Sequence, residues 1–566
     1  MTFPRFFIDR PIFAIVLSVL MMIGGIVSFF QLPLSEYPAV TPPTVQVTTA
    51  YPGANPDVIA QTVATPLEQA ITGVEGMLYM SSQSATDGRM ILTITFDQHI
   101  DPDMAQIQVQ NRVSRVLSRL PDEVQRQGVV TQKTSPDILM VVHLLSPEQR
   151  YDPLYISNYA YLQVRDELLR LRRETPAWGS YAHFAHGSAS LPPQVLYDAL
   201  DSWLEAERRW GVQRAAEHFA EPLLAVRDSV ARVLGTQPRH IALLDCASRA
   251  WSVAFAAALA AHPRIRAISS FDEYGSNSLC LLAARQQRGL ELRLIDARGD
   301  AAQLLQRLDE QLHDLAPGQT PLLSLSAVPT GHGAATALEG VAERIRAHGG
   351  LLFLDASHAV GQLPLAVEAI GCDVLVFPPR KWLRGPKGLG VLYLGERALE
   401  RLALPDGLDV GGAQWSDAFA LQARDDARRF ECSEFNPGLR LALKASCDYL
   451  LQTDVRRIAR RNRQLRERIA QQLYRRLGWT PLEQGPHASA LMTYAAPELS
   501  GEQWLKRLHA RGVNASYIGP QYARWALREQ ALPGVLRLTP HYLTDDSEIE
   551  RLGEALEDCL RQRAAS

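Results

Sequence analysis

The chain has 566 residues, and its 58 basic and 61 acidic residues give a formal net charge of −3. This length allows three or four domains of about 150 residues each. The near-neutral charge, together with the lack of a basic patch interleaved with aromatic residues, argues against a protein that binds nucleic acid.

The first predicted element is the apolar segment Ile12–Leu32, which carries no charged residue. It is long enough to cross a bilayer, which takes about 20 residues. A cleaved signal peptide is the alternative, but the segment is too long for one and is followed by LPLSEYPAV rather than by small residues. Arg5 and Arg10 precede the segment, and Glu36 follows it. We therefore predict a single-pass transmembrane helix within residues 1–34, in the inner (plasma) membrane and with a cytoplasmic amino terminus.

The next part of the chain, residues 35–171, combines strand and helix patterns. PPTVQVTTAYPG alternates in the manner of a strand and ends in a Pro-Gly turn. Asn55 is predicted to cap a helix that ends at Ile71, because Pro56 suits the first helical position. Further predicted elements are a strand over Met90–Phe96, a helix over Met104–Leu120 and a strand over Ile138–Leu144. The pattern predicts a small α+β domain.

Three stretches of this amino-terminal part carry a resemblance: FFIDRPIFAIVLSVLMMIGG, QLPLSEYPAVTPPTVQVTTAYPGANPDVI and TPLEQAITGVEGMLYMSSQS. They resemble the start of resistance-nodulation-division (RND) multidrug efflux permeases, and the similarity extends to about Leu171. The resemblance implies the first transmembrane helix and a porter-like subdomain. Those permeases use many membrane helices and charged residues within them, whereas this sequence has one candidate span without charge. We therefore expect no drug transport by this chain alone.

The junction reads LLRLRRETPAW from Leu168 to Trp178, without a flexible Gly/Ser linker. A truncated pump gene joined to an enzyme gene would give such a junction, and so would an assembly error. A membrane-tethered enzyme is a further alternative. The sequence leaves these alternatives open, and the enzyme part alone is expected to be cytoplasmic.

Two short apolar runs in the carboxy-terminal part end next to polar residues. Leu351–Leu354 stops at Asp355, and Asp373–Phe377 stops shortly before Lys381. Short apolar runs joined through a helix are typical of buried strands in a parallel sheet. Ligands bind beyond the carboxyl ends of such strands. We therefore predict that the carboxylate of Asp355 and the amine of Lys381 lie at the same edge of the sheet.

This pair of groups is the one that pyridoxal phosphate requires. A lysine amine forms a Schiff base with the cofactor, and an aspartate keeps the pyridine nitrogen protonated. Either residue alone would be unremarkable in an α/β domain. The basic residues of this chain are almost all arginine, however, and Lys381 is a lysine at a strand end.

The segment that contains both residues, with the string RKWLRGPKGLGVLYL, resembles the class V aminotransferases of the fold type I pyridoxal-phosphate enzymes. Hercynylcysteine lyases and isopenicillin-epimerase-like proteins are the most similar groups. The resemblance covers about residues 178–566. It implies an α/β fold with a large parallel-sheet domain over residues 172–438 and a small α+β domain over residues 439–566. It also implies a homodimer and an amino-acid substrate.

The resemblance implies roles for four residues around the cofactor ring. Lys381 holds the cofactor and moves the α-proton, and Asp355 pairs with the ring nitrogen. His358 hydrogen-bonds the phenolic oxygen or relays a proton. Tyr274 stacks on the pyridine ring, where desulfurases usually have histidine. Two structural alternatives stay open: His358 could be a histidine that is hydrogen-bonded within a turn, and Tyr274 could be an ordinary core residue.

The resemblance also implies a phosphate site and a carboxylate site. Ala247, Ser248 and Arg249 follow a predicted strand at the start of a helix, where backbone amides bind phosphate. Arg380 stands where desulfurases have histidine, and Pro378 replaces their phosphate-binding serine, so Arg380 is expected to contact the phosphate. Arg537 is expected to bind the substrate carboxylate. Thr330 is expected to face the phenolic oxygen of the cofactor or the substrate carboxylate.

The cysteines of the chain bear on the reaction. They form no CxxC pair and no Cys/His cluster, so we predict free thiols and no metal site. Cysteine desulfurases carry a sulfur-accepting cysteine ahead of the carboxylate-binding arginine, and none lies between Gly512 and Arg537. We therefore favour cleavage of the C–S bond of a cysteine conjugate. Epimerisation, transamination, desulfuration and a transporter with a passenger domain remain alternatives.

Overall fold

The computed structural model describes residues 43–85, 87–97, 100–134, 166–483 and 487–564. The chain divides into two compact units, residues 1–143 and 144–566. The predicted membrane span Ile12–Leu32 and the predicted strand Ile138–Leu144 lie outside the described residues. Within the described ranges, no helix is both long enough and apolar enough to span a bilayer.

The first unit is an α+β domain built on a four-stranded antiparallel sheet in the order β2-β3-β1-β4. The strands are β1 Thr44–Ala50, β2 Met77–Ser84, β3 Arg89–Phe96 and β4 Val130–Thr134. The helical segments are Pro56–Ile59, the π-helix Ala60–Ala64, Thr65–Ile71, Pro102–Val116, the 3₁₀ turn Leu117–Arg119 and Asp122–Gln127. The Oδ1 atom of Asn55 accepts a hydrogen bond of 2.9 Å from the amide of Val58, which confirms the predicted cap.

The second unit contains a seven-stranded sheet in the order β6-β12-β11-β10-β9-β7-β8. Its strands are β6 Ile241–Leu244, β7 Ile265–Ser270, β8 Glu291–Ile295, β9 Thr320–Ser326, β10 Leu351–Asp355, β11 Val374–Phe377 and β12 Gly390–Leu394. All run parallel except β12, which is antiparallel to both of its neighbours. The sheet therefore confirms the predicted parallel pairing of the two apolar runs.

The sheet is buried on both faces. Successive side chains of a strand point to opposite sides, so each strand contributes to two cores. Leu352 and Leu354 of β10 pack in one hydrophobic core, and Leu351 and Phe353 pack in the other. The helices that flank these strands in sequence are Gln194–Trp210, Val212–His218, Ala220–Leu234, Ala247–Ala261, Gly275–Arg288, Ala301–Leu312, Val341–Ala347, Val367–Ile370 and, after β12, Glu396–Arg401. Helices on both sides of a mostly parallel sheet define the α/β layer architecture.

A smaller α+β layer follows. Its strands are β15 Met492–Tyr494, β17 Ser516–Ile518 and β18 Val535–Leu538, in the antiparallel order β15-β18-β17. The short strand β16 Val513–Asn514 pairs with β5 Ala182–His183. Its helices are Val455–Leu477, Gly501–His509, Pro520–Glu529 and Asp546–Ala564. The helix Pro437–Thr453 packs instead in a core of the large sheet, through Leu443, Cys447 and Leu450. An exposed hairpin precedes that helix and consists of β13 Ala413–Asp417 and β14 Ala420–Ala423.

The predicted boundary between residues 171 and 172 falls within the helix Asp166–Arg173. Leu171 is buried in the core of the second unit. Nε of Arg172 donates a hydrogen bond of 3.0 Å to the carbonyl of Leu543. This helix therefore packs as part of the second unit.

Candidate active site

Asp355 and Lys381 line one cavity of about 250 Å³. Asp355 is the last residue of β10, and Lys381 follows the end of β11, its parallel neighbour. Both side chains are buried. The structure thus places the two groups together at the carboxyl ends of the strands.

The amine of Lys381 is poised to lose its proton near neutral pH. Burial lowers the pKa of Lys381 from 10.5 to about 7, Asp355 opposes that shift, and the charges of Arg380 and Arg537 add to it. The amine Nζ lies 3.2 Å from Nε2 of His358. An unprotonated amine of this kind is nucleophilic.

His358 is held as one neutral tautomer. Burial, with the charge of Lys381 as the next contribution, lowers the pKa of His358 well below its usual value. The indole nitrogen of Trp382 can only donate, and it lies 3.3 Å from Nδ1 of His358. The imidazole proton is therefore on Nε2, which faces the amine of Lys381 and, at 3.3 Å, Oγ1 of Thr330.

Two residues that the sequence analysis did not select hold the carboxylate of Asp355. Oδ1 accepts a hydrogen bond of 2.9 Å from the amide of Ser357, and Oδ2 accepts one of 3.2 Å from Nδ2 of Asn277. Nδ2 of Asn277 also donates to Oε1 of Glu273 at 3.0 Å. Glu273 is buried, and burial raises its pKa. Asn277 and the amide of Ser357 therefore orient Asp355, and Glu273 holds the amide group of Asn277.

Tyr274 lies directly before the helix Gly275–Arg288 and lines the same cavity. Its ring centroid is 5.9 Å from Nζ of Lys381. The ring is nearly parallel to that of Tyr522, with centroids 6.5 Å apart and an angle of 9° between the planes. Tyr274 therefore offers a flat aromatic surface beside the amine.

The other end of the cavity is built by the helix Ala247–Ala261. Ala247 and Ser248, its first two residues, line the cavity, and so does Arg380. The cap of this helix is Cys246, whose Sγ accepts a hydrogen bond from the amide of Arg249 at 3.4 Å. The Arg249 side chain is exposed and does not line the cavity. Only the first two of the three predicted helix residues therefore reach the candidate phosphate site.

Arg537 is a buried cation without a carboxylate partner in the described part of the chain. Nη1 donates to Oγ1 of Thr330 at 2.7 Å, and Nη2 donates to Oγ of Ser188 at 2.7 Å. Among the described residues, Nε has no hydrogen-bond partner. Burial lowers the pKa of Arg537 to about 10, which leaves the guanidinium charged at neutral pH. Such a group is suited to bind an anion.

Comparison with known proteins identifies the class of protein. The chain belongs to the aminotransferase class-V family, whose model matches residues 183–552. Residues 3–172 match the model of the AcrB/AcrD/AcrF family. The chain therefore joins a segment similar to efflux transporters to a class V aminotransferase domain, as the sequence predicted.

Among curated proteins, the chain is 41% identical over 167 residues to the solvent-resistant pump membrane transporter SrpB of Pseudomonas putida. It is 42% identical over 167 residues to the multidrug export protein AcrF of Escherichia coli (strain K12). Each match covers 30% of this chain and only 16% of the transporter. The chain thus spans a small part of the length of these relatives.

Among solved structures, the cysteine desulfurase of Thermococcus onnurineus NA1 superimposes with a TM-score of 0.61 and 20% identity, over 70% of this chain and 98% of that chain. The cystine C–S lyase C-DES, in a complex with cysteine persulfide, gives a TM-score of 0.58 and 19% identity, over 68% of this chain and 99% of that chain. These similarities establish the fold.

The protein is a pyridoxal-phosphate-dependent enzyme of this family, and its residues fit the cofactor. Nη1 of Arg380 is buried at the candidate phosphate site, and no group in the described ranges accepts a hydrogen bond from it. The backbone is packed closely there, since a Cβ atom on Gly390 would lie 2.1 Å from the carbonyl carbon of Cys246. At the opposite end, a buried carboxylate, a lysine of lowered pKa and an aromatic ring line the same cavity. These are the groups that a phosphorylated pyridine aldehyde requires.

Proposed function

We propose that the enzyme cleaves the C–S bond of a cysteine conjugate by β-elimination. In the overall reaction, a conjugate R–S–CH₂–CH(NH₂)–COOH and water give the thiol R–SH, pyruvate and ammonia. The carbon–sulfur bond breaks, the sulfur takes up a proton, and hydrolysis releases the nitrogen. The observation that carries the proposal is the amine of Lys381, buried beside the carboxylate of Asp355 with its pKa near neutrality.

Bound pyridoxal phosphate withdraws electrons from the α-carbon of an amino acid, which makes the α-proton acidic. Lys381 would hold the cofactor and then move the α-proton. Asp355 would keep the proton on the ring nitrogen, and Tyr274 would pack on the ring face. His358, with its proton on Nε2, would donate a hydrogen bond towards the phenolic oxygen.

The remaining groups would bind and orient. Ala247, Ser248 and Arg380 would hold the phosphate through backbone amides, a hydroxyl and a guanidinium. Arg537 would bind the substrate carboxylate, because its charge is buried and one of its nitrogens lacks a partner. Thr330 would set the plane of the Arg537 guanidinium through its hydrogen bond of 2.7 Å.

The distribution of thiols supports elimination over transfer of sulfur to the protein. Of the free cysteines in the described part of the chain, only Cys246 lines the cofactor cavity, and it lies at the phosphate end. None of these cysteines lines the cavity that contains Arg537, where the substrate carboxylate would bind. The sulfur would therefore leave with the product.

An absorbance spectrum tests the proposal. The purified full-length protein, incubated with pyridoxal phosphate, should develop an absorption band at the edge of the visible range. The variant Lys381→Ala should lack the band, whereas Lys387→Ala, which removes the nearby exposed lysine, should retain it. A band that persists in Lys381→Ala would contradict the proposal.

We also propose that the segment Ile12–Leu32 anchors the protein in the inner membrane with a cytoplasmic amino terminus. The uncharged apolar sequence and the family match over residues 3–172 support this anchor. Alkaline carbonate extraction of cell membranes should leave the full-length protein in the pellet. Release into the supernatant would contradict the anchor.

A homodimer of the enzyme part is also proposed, and its support is the exposed hairpin β13–β14. Trp415 and Phe419 on this hairpin are 79% and 103% exposed. Large exposed apolar groups mark contact surfaces. Light scattering of the protein should give a mass twice that of one chain. The double variant Trp415→Ser/Phe419→Ser should give a mass closer to that of one chain. A monomeric mass for the unchanged protein would contradict this assembly.

A further inference from the structure

A cavity of about 640 Å³ opens in front of Lys381 and Arg537. Cavities that hold drug-sized ligands range from about 300 to 1,000 Å³. This volume is more than the side chain of cysteine requires. Beyond the two cations, the walls include Tyr197, Asn514 and Tyr517. The cavity therefore has room for a much larger substrate side chain.

The charges around this cavity restrict that side chain. Arg380, Lys381 and Arg537 line the cavity, and within the described ranges no aspartate or glutamate does. A cationic side chain would therefore find no carboxylate in this wall to pair with, and an unpaired charge taken out of water is unfavourable. The cavity therefore favours an uncharged or anionic side chain.

His183 determines which way the amide of Asn514 is turned. Nε2 of His183 lies 2.9 Å from the carbonyl oxygen of Ala189, which can only accept, so Nε2 carries a proton. Burial lowers the pKa of His183 to about 4, so the ring is neutral at pH 7 and Nδ1 is a bare acceptor. Nδ2 of Asn514 lies 3.1 Å from Nδ1 and must be the donor.

Because Nδ2 of Asn514 bonds to His183, the carbonyl oxygen Oδ1 of Asn514 makes no contact with that ring. Among the described residues, no group donates a hydrogen bond to Oδ1, and Asn514 lines the cavity. Next to it, the ring of Tyr517 is fixed, since a Cβ atom on Gly501 or Gly534 would lie 2.3 or 2.4 Å from that ring. This wall therefore carries an amide oxygen whose orientation the hydrogen bond to His183 determines.

We propose that Asn514 accepts a hydrogen bond from the substrate side chain, and that the substrate is a cysteine conjugate with a bulky, uncharged group bearing an N–H or O–H. This inference rests on the proposed function, because it takes the substrate carboxylate to lie at Arg537. It adds the chemical class of the group attached to sulfur. Asn514 acts here as a specificity-determining residue.

Two conjugates of nearly equal size test the inference: S-(carbamoylmethyl)-L-cysteine, which has an amide N–H, and the methyl ester S-(methoxycarbonylmethyl)-L-cysteine, which lacks it. The full-length protein loaded with pyridoxal phosphate should cleave the amide with a kcat/KM about tenfold higher, since one hydrogen bond is at stake. The difference should lie mainly in KM. In Asn514→Leu the ratio should fall to about one, with the absorption band unchanged.

Each other outcome overturns the inference. Equal kcat/KM values in the unchanged protein would do so without any variant, and so would a preference for the amide that survives in Asn514→Leu. Failure to cleave either conjugate, in a protein that keeps its absorption band, would overturn the inference while leaving cofactor binding intact. Loss of the band itself would instead remove the proposed function and the inference with it.

Discussion

At the scale of the residue, Lys381 combines burial with two neighbouring arginine charges that lower its pKa to about 7. Its amine must be unprotonated to react with an aldehyde. We therefore expect the rate at which the apo-protein acquires its absorption band to rise with pH and to level off above about pH 7. Stopped-flow mixing with pyridoxal phosphate between about pH 5 and pH 9 measures this. A rate that keeps rising towards the usual lysine pKa of about 10.4 would contradict the assignment.

The same shift sets a pH dependence of stability. The folded protein releases the Lys381 proton near pH 7, whereas the unfolded chain holds it up to about pH 10.4. The unfolded state therefore binds more protons in this window, so the contribution of this group to the free energy of unfolding rises with pH. Lys381→Met should remove that dependence, as urea unfolding at several pH values would detect. An unchanged slope would show that other groups dominate.

Asn277 links the buried carboxylates of Asp355 and Glu273 with distances of 3.2 and 3.0 Å. Asn277→Ala removes this donor and should lower kcat about tenfold, because Asp355 would keep only the amide of Ser357. Steady-state kinetics of the loaded enzyme measures the effect. Ser276→Ala, one residue away on the same helix, is the matched control and should leave kcat unchanged. Equal activity of both variants would exclude a positioning role for Asn277.

Arg537 binds its neighbours through two nitrogens in a fixed plane. Arg537→Lys keeps the charge but loses this geometry, and we expect KM for the amino acid to rise about 10- to 100-fold. The absorption band should be unchanged, because Arg537 is assigned to the substrate. Arg528→Lys, at an exposed arginine, is the control. An unchanged KM in Arg537→Lys would place the substrate carboxylate elsewhere.

At the scale of the element, the start of β12 passes against the turn that begins the helix Ala247–Ala261. A Cβ atom on Gly390 would lie 2.1 and 2.3 Å from backbone atoms of Cys246 and Ala247. Gly390→Ala should therefore move this turn, destabilise the fold by about 2 kcal/mol and weaken cofactor binding. Gly407→Ala, where a Cβ meets nothing within 4 Å, is the control. Equal Tm and equal cofactor affinity in the two variants would contradict this role.

The strands that position the site were predictable because their signal is local. Leu351–Leu354 is a continuous apolar run, and the observed strand Leu351–Asp355 differs by one residue. Asp355 was selected because it ends that run. The antiparallel direction of β12 was not predictable in this way, because a short buried strand has the same composition in either direction.

The contacts that orient the site could not be read from local patterns. Arg537 meets Thr330 and Ser188 across 207 and 349 residues of sequence. Nothing in a single sequence specifies such pairs. The pair Glu273 and Asn277 did leave a signal, an acid and an amide four residues apart at the start of a helix, next to Tyr274. Arg249 was selected for its backbone amide at the start of a helix; that amide donates to Sγ of Cys246, and the side chain is exposed.

At the scale of the whole molecule, the structure indicates where the enzyme part begins. Nη2 of the buried Arg384 donates a hydrogen bond of 2.6 Å to Oγ1 of Thr175, and Arg172 donates to the carbonyl of Leu543. A chain that starts at Trp178, where the family resemblance begins, loses both contacts. Its free energy of unfolding should therefore be about 2 kcal/mol lower than that of a chain that starts at Asp166, and its Tm should be lower as well. Equal melting curves would mean that this helix contributes nothing to the fold.

The proposed function depends most directly on which lysine carries the cofactor. Borohydride reduction of the loaded full-length protein, followed by proteolysis and mass spectrometry, locates the pyridoxyl group on the sequence. We predict that the modified residue is Lys381 and that labelling is stoichiometric. A label on Lys387 or another lysine, or no stoichiometric label at all, would contradict the account.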